Sequence, residues 1–221
     1  MISDFFDIVT NKDKLQKELI FYSLFLMVFE NFVSHWKKTI RSFYSNGFAL
    51  DEQTGEYYDF VKTRWNDGEC ITTRDKDKEI NFNQEVFQLV KINGKNNPKL
   101  SMFRWMANNN FIDENDYLVL EKCYSKRNEY AHGIDKCLDR FVTREEKELL
   151  LSLIEISKKA SKNWVYEVEL PTSTEFELKD FMDDEGNYKQ PEVYTGTDLF
   201  YTLVLSNIND IFDGETENAD H

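Results

Sequence analysis

The sequence predicts an all-α helical bundle, interrupted by an irregular insertion and followed by an acidic C-terminal extension. Three observations carry this. The 221 residues include only 8 Gly and 3 Pro, a composition that disfavours a β-sandwich and suits long helices. Apolar residues Leu15, Leu19, Tyr22, Leu26, Phe29, Val33, Trp36, Ile40 and Phe43 recur at alternating steps of four and three, the spacing of one helix face. Two further helix starts carry capping-box signals, Asp113 with Asp116 and Thr143 with Glu146. In each, the residue at N3 can reach back to the cap.

Taken in order, Asn11 caps a first helix that runs to about Ser45 and closes at Gly47. Additional apolar residues (Ile20, Phe25, Met27 and Val28) widen its stripe, so this helix is expected to be covered on two sides, one of them by a second subunit. Residues 48–98 form the insertion. Gly55 and Asp67-Gly68 mark turns, Tyr57 to Trp65 reads as a short helix or strand, Thr72 to Glu79 is a polar run, and Asn83 to Ile92 reads as a helix ended by the Asn93-Gly94 loop. Pro98 opens the next helix. The helix begun by Asp113 carries the stripe Tyr117, Leu120, Tyr124, Arg127 and Ala131, which turns Arg127 toward the core. The last bundle helix, from Thr143, runs through Leu149, Leu150, Leu153, Ile156, Ala160 and Trp164. The expected organisation is a helical domain over 1–168 and an extension over 169–221 with one helix at 197–212.

The net charge of −14 disfavours a nucleic-acid binder at first sight. From Pro171 onward, however, there are 13 acidic and 2 basic residues, against 28 and 25 before it. The body is close to neutral, and the extension reads as a solvated acidic segment. The three cysteines (Cys70, Cys123 and Cys137) are scattered and form no metal-ligand spacing with histidine. No metal and no cofactor are expected. No basic segment precedes an apolar run at the N-terminus. Leu19 to Phe29 is too short to span a bilayer. The expected setting is cytoplasmic, with no membrane partner. Lys37, Lys38 and Arg41 make a small basic patch, read first as a solvated face and second as a track for a phosphate backbone.

The candidate site is Arg127-Asn128-Glu129-Tyr130-Ala131-His132-Gly133. Histidine moves protons near neutral pH, and arginine stabilises charge on phosphate oxygens. Asn128 and His132, four residues apart, share one helix face. Glu30 and Tyr130 are the supporting candidates.

Arg127-Asn128-Glu129-Tyr130-Ala131-His132 resembles the Arg-polar-x3-His signature of HEPN domains, and the helices on either side are similar in order. The resemblance covers about residues 1–168; the insertion is longer than in a minimal bundle of that family. It implies an all-α bundle that forms a homodimer, with two motifs meeting in one composite site. It also implies metal-independent endoribonuclease activity on RNA, in a toxin, abortive-infection or anti-phage defence setting, with an antitoxin or defence-system partner. In that reading Arg127 binds the scissile phosphate, His132 transfers protons, and Asn128 orients them. The family also contains inactive members, which serve as protein-interaction or RNA-binding modules.

Overall fold

A computed structural model describes residues 7–51, 54–66, 68–173, 182, 185, 193, 195–202 and 204. It is mostly helical, with three short two-stranded ribbons. The elements are α1 (Lys12–Tyr44), β1 (Ala49–Leu50), β2 (Tyr57–Tyr58), β3 (Val61–Asn66), β4 (Glu69–Arg74), α2 (Lys76–Phe87), β5 (Lys91–Ile92) and β6 (Lys95–Asn96). They continue with α3 (Pro98–Asn108), α4 (Glu114–His132), α5 (Ile134–Cys137) and α6 (Arg144–Trp164), which passes into a π-helical turn, Val165–Glu169. The chain divides into two compact units. One comprises Met1–Val28 and Asn109–His221; the other is Phe29–Asn108.

Asn11 caps α1 as its sequence predicts, its side chain accepting from the backbone of Asp13 and Lys14 at 3.1 and 3.2 Å. The stripe is only partly the buried face. Tyr22, Phe29, Val33, Trp36 and Ile40 are buried, but Leu19 and Phe43, near its two ends, are 37 % and 52 % exposed. A strict 3.5-residue repeat drifts about 20° per heptad around a straight 3.6-residue helix. Over four heptads that drift carries the ends of the stripe off the core. Phe21, Phe25, Val28 and Phe32 complete the buried face instead.

In the first unit, α1 supplies Phe21, Tyr22 and Phe25, α4 supplies Tyr117, Leu120, Cys123 and Tyr130, and α6 supplies Leu150, Leu153, Ile154 and Ile156. Each such side chain contributes about 1.5–3 kcal/mol on burial. Residues 196–202 are helical. Tyr201 there is 3 % exposed, and Thr197 accepts from Ser161 of α6 at 3.2 Å. The rest of the helix expected at 197–212, and most of the acidic extension, lie outside the described residues.

In the second unit, Phe29 and Phe32 of α1 meet Phe103 of α3 at 6.1 and 5.7 Å between ring centres. Phe60 and Phe82 stack at 5.1 Å. The expected insertion lies wholly within this unit. Its polar run becomes the end of β4 and the start of α2, because Asp75 accepts from the Lys78 backbone as an N-cap. The helix expected from Asn83 to Ile92 therefore starts earlier and ends at Phe87. Asn93 and Gly94, both at positive φ, turn Lys91–Ile92 back into a ribbon. Arg41 does not join an open basic patch. Its guanidinium is paired with Asp59 and Glu79 and lies over Phe60 at 5.1 Å.

Candidate active site on the fourth helix

The motif occupies the last turns of α4. This helix is fixed at its start by a reciprocal cap: the Asp113 carboxylate accepts from the Asp116 backbone at 2.9 Å, and Asp116 accepts from Asp113 at 3.0 Å. Lys159 of α6 ties both carboxylates down. Tyr117, Leu120, Cys123 and Tyr130 are its buried positions. The expected stripe through Tyr124 and Ala131 is thus rotated. Ala131 is exposed, and Tyr124 and Arg127 are half-buried. The large ring of Tyr130 takes the inward place predicted for the small Ala131.

Arg127 Nη1 donates to the Asn128 side-chain oxygen at 3.1 Å. Adjacent residues on a helix point about 100° apart, so this bond draws the guanidinium toward the face that carries Asn128. His132 lies one turn further along the same face, is exposed, and is the last residue of the helix. Gly133 ends the helix. A Cβ there would stand 3.3 Å from the Glu129 carbonyl, so glycine relieves crowding where the chain leaves His132.

Tyr130 supports the motif from within, not at its surface. It is 1 % exposed, which removes it as a base-stacking face or an accessible modification site. Its ring packs 4.8 Å from Tyr22 and 5.2 Å from Phe25. Its hydroxyl donates to Glu146 at 2.8 Å. Burial and the adjacent Glu146 push the Tyr130 hydroxyl pKa up, so it remains a proton donor. Glu30 belongs to the second unit, where both its oxygens accept from Lys99, at 2.9 and 3.1 Å.

The residue that sequence reasoning missed is Glu146. Its sequence context marks it only as half of a capping box, and that box is present. It is also 3 % exposed. Arg140 donates to it twice, at 2.7 and 2.6 Å, and Lys126 approaches to 3.1 Å. Burial would raise the carboxyl's pKa, but hydrogen bonds from Arg140, the Thr143 backbone, Tyr130 and Lys126 outweigh burial and hold it well below the usual range. Two of these partners, Lys126 and Tyr130, lie on either side of Arg127 and Asn128. The available signal is Arg140 lying six residues before Glu146; the Tyr130 contact is non-local and leaves no periodic trace. Tyr130→Phe, which keeps the ring and removes this hydrogen bond, is expected to cost about 1–3 kcal/mol in urea denaturation.

The two cysteines of the first unit are buried, and Cys70 lies exposed in the second. Burial pushes the Cys123 thiol up to about 12 and also raises Cys137. Among the described residues, no group of three or more His, Cys, Asp and Glu side chains is placed to hold a metal ion. No family model, no curated protein and no solved structure matches this chain.

Proposed function

We propose that the protein is a HEPN-type, metal-independent endoribonuclease. One observation carries the reading: Asn128 holds the Arg127 guanidinium toward the face on which His132 is exposed. A cation for phosphate and a proton-transfer group then serve one reacting centre. The RNA 2′-hydroxyl attacks the adjacent phosphorus, the bond to the 5′-oxygen breaks, and a 2′,3′-cyclic phosphate and a free 5′-hydroxyl result. His132 transfers the proton, and Arg127 stabilises the added charge on the phosphoryl oxygens. In a homodimer, two such half-sites would supply the base and the acid together. The setting that fits is cytoplasmic anti-phage defence or a toxin, with an antitoxin or other defence-system partner.

The test is cleavage of labelled RNA in excess EDTA by wild-type, Arg127→Ala and His132→Ala proteins, with growth arrest on expression as the cellular readout. Cleavage by wild type alone, ending in a cyclic phosphate, supports the reading. Equal behaviour of the three proteins rejects it.

A second reading, a catalytically inactive HEPN dimer used as an interaction module, is favoured by the exposed apolar residues Leu19, Ile20 and Met27 of α1. Leu15, Leu19, Ile20, Leu24 and Met27 line an open depression of about 550 Å³, and Met27 is 45 % exposed. If a second copy covers this side, Ile20→Lys with Met27→Lys should convert a dimer to a monomer in analytical ultracentrifugation. An unchanged sedimentation coefficient would remove this face as the dimer contact.

A further inference from the structure

We infer that the β5–β6 hairpin is a phosphate-contacting arm for a folded, stem-bearing RNA; this rests on the RNA reading above and narrows its substrate class. Between Glu85 and Asp113 the chain has no acidic residue but carries Lys91, Lys95, Lys99 and Arg104, the longest acid-free run in a chain of net charge −14. Lys99 is neutralised by Glu30. Lys91 and Lys95 are exposed, and among the described residues neither side chain makes an ion pair or a hydrogen bond.

These two ammonium groups stand on a rigid mount. Asn93 and Gly94 have φ of 49° and 76°, the double positive turn that matches the twist of a two-residue hairpin. The base is closed by the Asn97 backbone donating to Val90 at 2.9 Å and the Val90 backbone donating to the buried Ser101 hydroxyl at 2.9 Å. A preorganised loop loses less freedom on binding than a flexible one.

The register selects the ligand. Lys91 pairs with Asn96, and Ile92 pairs with Lys95. Neighbours along a strand point to opposite faces, so the ribbon carries one cation on each side. An anionic membrane is flat and meets one side only. Two phosphate backbones bordering the groove of an RNA stem meet both. The Asn96 amide, beside Lys91, adds a neutral hydrogen-bonding group.

The experiment measures binding of a fluorescent stem-loop RNA and of labelled polyuridylate to full-length His132→Ala protein, which keeps the RNA intact. The comparison protein adds Lys91→Gln and Lys95→Gln. A control adds Arg144→Gln and Lys158→Gln instead, the same charge change in the other unit. Each phosphate contact contributes about 0.7–0.9 to the slope of log affinity against log salt. The hairpin variant should therefore lose about 1.4–1.8 from that slope for the stem-loop, with affinity falling roughly tenfold or more at about 50 mM salt. The control should match the parent. An unchanged slope in the hairpin variant, or an equal loss in the control, overturns the inference and leaves the RNA reading standing. A parent protein that binds neither RNA overturns both. Loss of binding to phosphatidylserine–phosphatidylcholine vesicles, with RNA binding unaltered, reassigns the hairpin to a lipid surface.

Discussion

His132→Ala is expected to reduce RNA cleavage by about 10²–10⁴, the range that a positioned acid or base supplies. Arg127→Ala should cost about 10²–10³, as for loss of one donor to developing charge. The two losses should not add when both are removed, because residues acting as one unit are non-additive. His132→Ala should keep the wild-type urea midpoint, since His132 is exposed. Single-turnover cleavage in EDTA, with denaturation run in parallel, separates lost chemistry from lost fold. Asn128→Ala makes an intermediate case. It removes the bond that draws Arg127 across but leaves both reacting groups in place.

Glu146→Ala should be among the most destabilising changes in the first unit, at about 3–5 kcal/mol, because it removes the buried carboxylate at the centre of a charge network. That is a large share of the 5–15 kcal/mol that usually separates folded from unfolded chains. Arg140 and Lys126 would be left with Glu129 as their carboxylate partner, and the Tyr130 hydroxyl would lose its acceptor. The pH dependence has a definite sign. The folded-state pKa of Glu146 lies below its unfolded value, so its contribution is complete above the unfolded value of about 4.3 and is lost as pH falls toward the folded one. The stability difference between wild type and Glu146→Gln, followed by urea denaturation, should be constant from neutral pH down to about pH 5. It should narrow on further acidification.

Periodicity and caps made the helices legible. Asn11, Asp113 and Thr143 each start a helix where expected, because capping is settled within four residues and owes little to the rest of the fold. The stretch after Gly47 is irregular in sequence, and Tyr57–Trp65, open there to helix or strand, is strand in β2 and β3; the pairing partners leave no sequence signal. Six-residue strands that are exposed on both faces, such as β4, have no alternating pattern to betray them. Of the candidate residues, Arg127 and Asn128 are in contact. The direction of the helix face was misjudged by one position, because a stripe read at steps of three and four cannot decide between Ala131 and Tyr130. Ring size and a distant carboxylate decide it.

That distant carboxylate bears on how far the motif can be moved. The outward residues of Arg127-Asn128-Glu129-Tyr130-Ala131-His132 could be written onto many helices, but the inward tyrosine fits only where an acceptor like Glu146 and cations like Arg140 are already waiting. Grafting the six residues alone onto another capped helix should therefore give an inert copy. A working transplant would need Arg140 and the Thr143–Glu146 cap to travel with them, which makes the smallest transferable unit a helix pair and not a hexapeptide.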